Sequence, residues 1–502
     1  MNRDGAKTST WQEEIAGFQP QNQKEADRIY DVLVVGGGIT GLTTALLLQE
    51  QGKKCILAEA YNIGFGTSGG TTAHLNTMLD TPYYQVENDF GHDSARLVQA
   101  AASEAITLIH NLSSRYNFDC GFEYKQGFIF AQNEEQEEEL QKIVGGAQRA
   151  GVDINIVDNI DIPIPFTMAC VFEHQAQFNI GKYLVGLARA FERSGGVILH
   201  NCMVSDIISD EYYTAETNAG LIKSEKVVYA THIPPGINLL HFRCAPYRSY
   251  ACAFTLKDGR YPTDLLYDLE DSYHYIRSMK AGGKGYVIAG GYDHKTGHND
   301  NTEQSFRELE SYIRHHFSVE HIEYKWSSQY YSSADGLPYI GLLPGHNNIY
   351  TATGFIGNGM VYGTISGKII SDLIVGVESP YADLFRPSRI KPIAGFAEFV
   401  KENGDVISKF ISMRFSYEQV NALVELAPGD AVLADWEGNK VALYKDEQGK
   451  VFAVDPVCPH AGCLVAWNNA EKTWDCPCHG GRYAPDGCRL TGPAKKGLQA
   501  LL

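Results

Sequence analysis

The chain has 502 residues with a formal net charge of −18, and 44% of its residues are hydrophobic. This acidic balance argues against nucleic acid as a partner, because binding a phosphate backbone requires an excess of lysine and arginine. No apolar run reaches the roughly 18 residues of a membrane-spanning helix, so the sequence predicts no transmembrane segment. The length accommodates two or more domains with sizeable cores.

The first 30 residues are polar and lack the apolar core of a secretion signal. We therefore interpret residues 1–30 as a polar N-terminal extension and expect a cytoplasmic protein. Of the 11 cysteines, five lie between Cys458 and Cys488. In a cytoplasmic protein such a concentration indicates metal or redox chemistry before structural disulfides.

Residues 31–59 have the pattern of a dinucleotide-binding unit. The apolar run DVLVV predicts a buried parallel strand, and the segment after the glycine-rich turn predicts a helix. Gly36, Gly38 and Gly41 have the G-x-G-x-x-G spacing, and Glu59 ends the next predicted strand. The glycines let the backbone approach a pyrophosphate at the helix N-terminus, and the carboxylate accepts hydrogen bonds from a ribose.

A second glycine-rich segment, DGLPYIGLLPGHNNIYTATGFIGNGM, begins at Asp335. Its D-G-x-P-x-I-G turn, strand and G-x-x-G-x-G loop resemble the closing segment of the D-amino-acid-oxidase-like flavoproteins, which include glycine and sarcosine oxidases. The resemblance covers about residues 31–378 and implies FAD; a second Rossmann unit for NAD(P)H is missing. Gly70 stands where some relatives carry a flavin-attaching histidine, so we expect non-covalent FAD. The resemblance implies that FAD is bound by the first glycine-rich turn and Glu59, and also by Ser68, Val204, Gly354, Gly357, Gly359 and Met360.

The resemblance also implies an α/β fold in which a Rossmann-type FAD-binding domain is interleaved with an antiparallel-sheet substrate domain. Together they are expected to occupy residues 31–384. The expected FAD-binding parts are about 31–110, 165–240 and 330–378, and those of the substrate domain are about 111–164 and 241–329.

Tyr275, Arg277 and His294 lie on predicted antiparallel strands of the substrate domain. The resemblance makes them candidate catalytic residues that line the substrate cavity; a surface-facing position is the alternative for each. Amino-acid oxidases of this family carry an arginine shortly before the D-G-x-P turn, where it holds a substrate carboxylate. Here Gln329 and Tyr330 occupy that stretch, so either the substrate has no carboxylate or another residue, such as Arg277, holds it.

A cluster of candidate metal ligands follows near the C-terminus: Cys458-Pro-His460 and Cys476-Pro-Cys478-His479. Zinc is one interpretation, although zinc fingers usually supply a cysteine pair from one loop and a histidine pair from another. The C-x-H and C-x-x-H pairs resemble the ligands of a Rieske [2Fe–2S] cluster, which implies Cys458 and Cys476 on one iron and His460 and His479 on the other. The same resemblance implies a disulfide between Cys463 and Cys478.

The resemblance implies a C-terminal all-β Rieske domain over residues 415–502, joined by a linker over 385–414. Tyr483 stands where respiratory Rieske proteins carry a tyrosine that donates to a ligand sulfur, and Gly481 replaces a serine that donates to a sulfide. We therefore expect a reduction potential below that of the respiratory centres and above that of plant-type ferredoxins.

This combination predicts an enzyme that oxidises an amine or amino-acid-like small molecule at a CH–NH or CH–NH2 group. Electrons would pass singly from the flavin to the cluster and then to an external carrier, such as a ferredoxin, a cytochrome or a quinone-linked carrier. Two alternatives are an oxidase that uses O2 and has an accessory Rieske domain, and a reductase that receives electrons through the cluster. A Rieske oxygenase is disfavoured, because His294 and His298 lack the spacing for its mononuclear iron.

Overall fold

The computed structural model describes residues 3–25, 28–271, 273–389, 418–419, 426–436 and 439–501. The α-helices are α1 (Gln12–Ala16), α2 (Ile39–Glu50), α3 (Tyr83–Phe90), α4 (His92–Arg115), α5 (Glu134–Ala150), α6 (Ile180–Arg193), α7 (Thr302–His316), α8 (Gly359–Val375) and α9 (Ala382–Phe385). Within these ranges, none of the helices combines the length and the apolar character that a bilayer crossing demands.

The strands of the flavoprotein part are β1 (Ile29–Val35), β2 (Cys55–Ala58), β3 (His74–Leu75), β4 (Glu123–Ala131), β5 (Ile154–Val157), β6 (Met168–Gln177), β7 (Val197–Leu199), β8 (Val204–Ser209), β9 (Tyr213–Thr217), β10 (Gly220–Tyr229), β11 (Cys244–Leu256), β12 (Leu265–Asp268), β13 (Tyr275–Ala281), β14 (Lys284–Lys295), β15 (Val319–Ser333), β16 (Tyr339–Leu342) and β17 (Ile349–Thr353). Those of the C-terminal part are β18 (Glu418–Gln419), β19 (Ala431–Trp436), β20 (Asn439–Lys445), β21 (Val451–Val454), β22 (Ala466–Asn468), β23 (Thr473–Asp475), β24 (Arg482–Tyr483) and β25 (Arg489–Thr491).

The first sheet has the order β16-β17-β10-β1-β2-β7 and is parallel from β17 to β7. Strand β1 is nearly all apolar at its centre because α2 and the rest of the core cover both of its faces. As predicted, the glycine-rich turn connects β1 to α2, and β2 ends directly before Glu59. This arrangement brings Glu59 to the carboxyl edge of the sheet, beside the turn.

The second sheet has the order β15-β11-β14-β13-β12-β4-β6-β3, and β5 pairs with β6. Apart from the parallel pair β12–β4, its neighbouring strands are antiparallel. Strands β3 and β6 belong to this sheet, although the predicted ranges assigned both to the FAD-binding part. The reason is their register: β6 pairs along its length with β4, so the chain stays in the second sheet through β6 and returns to the first sheet only at β7.

The C-terminal part is all β, with two four-stranded sheets in the orders β18-β19-β20-β21 and β22-β23-β24-β25. The candidate metal ligands lie in the loops that flank the second of these sheets. The predicted linker (385–414) is described only as far as residue 389, and the expected domain start at residue 415 lies outside the described residues.

The prediction that residues 1–30 form a polar extension is wrong for residues 3–18. Trp11, Ile15 and Phe18 are buried in the main core, and the Trp11 indole donates a hydrogen bond to the Thr71 carbonyl at 2.7 Å. The amphipathic turn of α1 packs against α6. Three large apolar side chains among many polar ones do not form a sequence run, so their burial was not visible in composition.

A buried charge network joins this N-terminal segment to the second sheet and to the C-terminal part. Its members carry three positive and three negative charges: Arg3, Asp4, Arg248, Glu471, Asp475 and Arg482. The Arg482 guanidinium contacts Asp4 at 2.7 Å and Asp475 at 3.1 Å, and Arg3 contacts Glu471 at 3.2 Å. Each of these side chains is at most 3% exposed.

The opposite charges of the network are paired, because each buried carboxylate has a guanidinium beside it. Burial raises the pKa of Asp4, but the charges of Arg482 and Arg3 outweigh burial and hold that pKa below its ordinary value. Ser327 of β15 completes the contacts, since its backbone N–H and its hydroxyl both donate to Glu471, at 2.7 and 2.8 Å. The C-terminal part is therefore positioned by directional, paired charges.

We predict that Arg482→Met lowers the free energy of unfolding by about 3 kcal/mol, because Asp4 and Asp475 lose their shared buried counter-ion. Urea denaturation followed by tryptophan fluorescence measures the change. Arg260→Met is the control, since Arg260 lies on an exposed turn and its replacement is expected to leave stability unchanged. Equal stability of both variants would contradict the role assigned to the network.

Candidate functional site

A large cavity of about 590 Å³ lies between the two sheets and reaches the C-terminal part. This volume is in the range of cofactor and ligand sites. One end is lined by the glycine-rich turn, Glu59 and Val204, and the other by tyrosines of the second sheet. Residues 489–492 of the C-terminal part also contribute to the wall.

The first end of the cavity fits the nucleotide half of FAD. Gly36 adopts φ +111°, and the Glu59 carboxylate accepts hydrogen bonds from the N–H groups of Gly37 at 2.7 Å and Tyr61 at 2.9 Å. Gly41 packs beneath the turn without lining the cavity: a Cβ there would lie 1.9 Å from the Gly36 carbonyl oxygen. The Ser68 hydroxyl accepts from the Ile39 N–H at 3.1 Å, at the N-terminus of α2.

Most of the other predicted FAD-binding residues also line the cavity, namely Gly36, Gly38, Val204, Gly357, Gly359 and Met360. Gly354 does not line it. Its φ is +74°, and a Cβ at this position would lie 3.0 Å from the Ser333 side chain, so Gly354 shapes the turn before the Gly357 loop.

Of the predicted catalytic residues, only Tyr275 lines the cavity, and its hydroxyl hydrogen-bonds with that of Ser249 at 2.6 Å. The assignment of Arg277 is wrong: its guanidinium donates to the carbonyls of Thr72, Ala73 and Phe178, so it braces the backbone. Burial lowers the pKa of Arg277 to about 9.

The assignment of His294 to the cavity is also wrong. Its Nε2 contacts the Tyr250 hydroxyl at 2.8 Å, and its Nδ1 contacts the Lys295 carbonyl at 3.0 Å. Asp293, the preceding residue on β14, lines the cavity instead. Neighbouring residues of a strand point to opposite faces, so an error of one position moves the functional side chain out of the site.

The second end of the cavity is an acidic tyrosine cage, formed by Asp80, Asp293, Tyr267, Tyr273, Tyr275 and Tyr330. Sequence reasoning missed both carboxylates. Asp80 stands in NTMLDTPYY, which carries no recognisable motif, and Asp293 was overlooked beside His294. Asp80 is tied to the closing glycine loop, because its carboxylate accepts from the Gly357 N–H at 2.7 Å and from the Tyr273 hydroxyl at 3.3 Å.

Burial dominates the electrostatics of this cage. It raises the pKa of Asp293 from 3.8 to about 7, with a contribution from the charge of Asp80, while hydrogen bonds from Ser249 and Tyr330 act in the opposite direction. Burial likewise raises the pKa of Asp80. Asp293 therefore changes its protonation state near neutral pH.

In the C-terminal part, the predicted ligands converge. The thiols of Cys458 and Cys476 lie next to each other, and the rings of His460 and His479 have centroids 4.8 Å apart. The Nδ1 atoms of both histidines are buried and have no hydrogen-bond partner in the described residues. Two cysteine sulfurs and two imidazole nitrogens fit the donor set of a [2Fe–2S] cluster with two cysteine and two histidine ligands.

Cys463 and Cys478 form the predicted disulfide, so their sulfurs are not available as ligands. The Tyr483 hydroxyl lies 3.0 Å from the Cys458 sulfur. This contact matches the predicted role of Tyr483 as a donor to a ligand sulfur.

A family model described as "FAD dependent oxidoreductase" matches residues 31–373, and a "Rieske [2Fe-2S] domain" model matches residues 417–501. The chain belongs to the FAD-dependent oxidoreductase family. The putative Rieske 2Fe-2S iron-sulfur protein YhfW of Bacillus subtilis is 30% identical to it, over 99% of this chain and 96% of that protein. Gamma-glutamylputrescine oxidoreductase of Escherichia coli is 25% identical, over 69% of this chain and 84% of that protein.

The fold agrees with this family. The structure of glycine oxidase from Geobacillus kaustophilus superposes with a TM-score of 0.61 at 18% identity, covering 72% of this chain and 99% of that chain. The predicted α/β flavoprotein fold with a C-terminal Rieske domain is thus confirmed. This FAD-dependent oxidoreductase binds FAD in its oxidoreductase domain and a [2Fe–2S] cluster in its Rieske domain.

In this oxidoreductase the cluster histidines face the flavoprotein part. His460 Nε2 contacts the Gly236 carbonyl at 3.1 Å, and the His241 ring lies 4.6 Å from the His460 ring. Phe242 packs edge-on against His479, with ring centroids 6.2 Å apart. Both ligand histidines are therefore less than 10% exposed.

We predict that Gly41→Ala weakens FAD binding at least about tenfold, because the new methyl group displaces the Gly36 carbonyl and distorts the turn. Titration of the apoprotein with FAD measures the dissociation constant. Gly145→Ala, at a half-buried position of helix α5, is the control: its Cβ would come no nearer than 3.5 Å to a neighbour. Equal FAD affinities for the two variants would refute this role of Gly41.

We predict that Tyr483→Phe lowers the midpoint potential of the cluster by on the order of tens of millivolts, because the reduced cluster loses a hydrogen bond to the Cys458 sulfur. Potentiometric titration monitored by EPR measures the shift. Tyr444→Phe is the matched control, since Tyr444 stacks with Trp467 and Phe452 in the same domain. If the midpoint potential of Tyr483→Phe equals that of the wild type, the Tyr483 hydroxyl does not influence the potential of the cluster.

Proposed function

We propose that this protein is an amine dehydrogenase that passes electrons from its flavin to its own Rieske cluster and then to an external one-electron carrier. The observation that carries this proposal is the direct contact between the cavity and the cluster loop. FAD, when bound, accepts a hydride, whereas the cluster takes up electrons one at a time. The two centres in one chain therefore suit a two-electron substrate and a one-electron acceptor.

Strand β15 makes the contact. Gln329 and Tyr331 line the cavity, and the Gln329 amide donates to the Gly480 carbonyl at 2.9 Å. The Tyr331 hydroxyl donates to the backbone carbonyl of His479, a predicted cluster ligand, at 3.1 Å. Two adjacent cavity-lining side chains thus lead directly to the ligand loop, which supports electron transfer within the chain.

Electron exit is supported by the surface beside the cluster. The segment that covers the cluster histidines bears exposed apolar side chains, of which Ile237 is 74% and Phe242 46% exposed. Phe242 contacts His479 on its other side. Exposed apolar groups in contact with a redox ligand favour a transient complex with a small protein carrier.

An amine substrate is supported by two observations. The chain is similar to gamma-glutamylputrescine oxidoreductase over most of both lengths. In addition, the stretch before the D-G-x-P turn carries Gln329 and Tyr330, and the Gln329 side chain is engaged by the Rieske domain. Neither residue supplies the positive charge that a substrate carboxylate requires.

The test is anaerobic: the iron-loaded protein is mixed with primary, secondary and N-methyl amines and with amino acids. We expect an amine to bleach the flavin absorbance near 450 nm and the EPR signal of the reduced cluster to rise with it. Flavin bleaching with a persistently oxidised cluster would contradict the internal route. Rapid reoxidation of the bleached flavin when O2 is admitted afterwards would favour the oxidase alternative. Reduction of the flavin by a reduced ferredoxin without any amine would favour the reductase alternative.

A cluster-free variant separates the two half-reactions. In Cys476→Ser we expect the same amine to bleach the flavin while reduction of an added one-electron acceptor protein falls by at least about tenfold. Cys488→Ser, at an exposed cysteine of the same domain, is the control and should retain both reactions. Unimpaired electron delivery by the cluster-free variant would exclude the cluster from the path.

A further inference from the structure

The acidic tyrosine cage has a charge distribution that selects among substrates. The carboxyl groups Asp80 and Asp293 lie within it, and Glu139 and Glu270 also line the cavity. Across the described part of the cavity wall, Arg489 is the one lysine or arginine. Its guanidinium donates to the carbonyls of Ala494 at 2.7 Å and Val204 at 3.2 Å, which places it at the nucleotide end.

Both the carboxyl groups and the tyrosine rings of the cage suit a bound cation. Carboxylates attract an ammonium group strongly where water is excluded, and the faces of tyrosine rings attract cations through their quadrupole. The rings are held in fixed orientations: Tyr273 and Tyr275 have centroids 5.7 Å apart, and the Tyr267 hydroxyl accepts from the Asn76 amide at 2.9 Å. A substrate carboxylate would face the carboxyl groups of Asp80 and Asp293 at this end, and no lysine or arginine among the described lining residues would balance its charge there.

The two aspartates differ in what their oxygens already contact. Asp80 accepts from the Gly357 backbone and from the Tyr273 hydroxyl, so it holds the loop and supplies charge. Asp293 is contacted by the hydroxyls of Ser249 and Tyr330, whose protons can rotate towards other acceptors. Asp293 can therefore accept a proton without the loss of a backbone contact.

We propose that the cage is the substrate site for an amine without a carboxylate near its reacting carbon, bound as an ammonium ion, and that Asp293 accepts the ammonium proton. This proposal rests on the proposed amine dehydrogenase function. In the first step the N–H bond breaks and the proton goes to Asp293, which leaves a neutral amine. The α C–H bond then breaks, its hydrogen leaves as hydride to the FAD oxidant, and the nitrogen lone pair forms the C=N bond of an iminium ion.

The pH dependence follows from the groups that face Asp293. These are Ser249 on β11, Tyr275 on β13, Tyr330 on β15, Tyr273 and His274 before β13, and Asp80 before α3. The raised pKa of Asp293, about 7, means that its carboxyl is mostly neutral at pH 6 and mostly charged at pH 8. Cation binding is therefore expected to strengthen between these values, while a free alkylamine remains protonated up to about pH 10.

The test uses the FAD- and iron-loaded protein and three probes: choline, its neutral isostere 3,3-dimethylbutan-1-ol, and benzoate. Choline carries no N–H proton, so its binding reports on the cage without the proposed proton transfer. Dissociation constants are measured from the perturbation of the flavin spectrum under anaerobic conditions. We expect choline to bind at least about tenfold more tightly than its isostere and than benzoate at pH 8, and less tightly at pH 6.

In Asp293→Asn we expect choline binding to weaken at least about tenfold and to lose its pH dependence, with binding of the isostere unchanged. With an amine substrate, the rate of anaerobic flavin bleaching should fall about a hundredfold, in line with the loss of a general base. Asp293→Glu should restore both partially. Asp210→Asn, at an exposed turn, is the control, and FAD content verifies that each variant is folded.

Any of four results would refute the proposed role of the cage. These are equal binding of choline and its isostere, tighter binding of benzoate than of choline, no choline binding in the millimolar range, and wild-type behaviour of Asp293→Asn. None of these results depends on the cluster, so each leaves the flavin-to-cluster route intact. Conversely, flavin bleaching without cluster reduction would refute the route while the choline results still decide on the cage.

Discussion

The buried charge network is the interaction on which the arrangement of this protein depends. Arg482 of the Rieske domain contacts Asp4 of the N-terminal segment, and Asp475 contacts Arg248 of the second sheet. Burying six charges costs considerable desolvation energy, which good geometry offsets only in part. In the observed placement of the Rieske domain, every charge of the network has an oppositely charged partner.

That placement has a functional consequence along one strand. Ser327 of β15 contacts the charge network, Gln329 and Tyr331 contact the cluster loop, and Tyr330 points into the acidic tyrosine cage. Alternation along the strand divides these tasks between its two faces. A single strand therefore holds the acidic tyrosine cage and the Rieske domain in a fixed relation.

The cluster differs in its surroundings from one at the tip of an independent domain. The ligand histidines are covered by Gly236, His241 and Phe242 of the flavoprotein part. Such a cover excludes water from the imidazole edges, and exclusion of water influences the potential of a cluster. The exposed face of the covering segment is the surface at which we propose that an external carrier docks.

The sequence by itself determined the cofactors and the local motifs that bind them. The glycine turn with Glu59 is a short pattern whose chemistry is set by residue type and spacing, whereas the cluster ligands and the disulfide partners followed from the resemblance of their loops to Rieske domains. Tertiary structure alone decided which distant residues meet. Asp80 and Asp293 share a cage, and Arg3 reaches Glu471, because two sheets and three chain segments converge.

The errors have the same origin. Arg277 and His294 lie on the predicted strands, yet their side chains do not reach the cavity. Arg277 hydrogen-bonds to backbone carbonyls and His294 to Tyr250. The direction of a side chain depends on sheet register and on the residues that pack opposite it. Likewise, charged residues such as Arg3 and Asp4 made the N-terminal segment resemble an exposed extension, although both side chains are buried. Only the folded chain brings the partners that make their burial favourable.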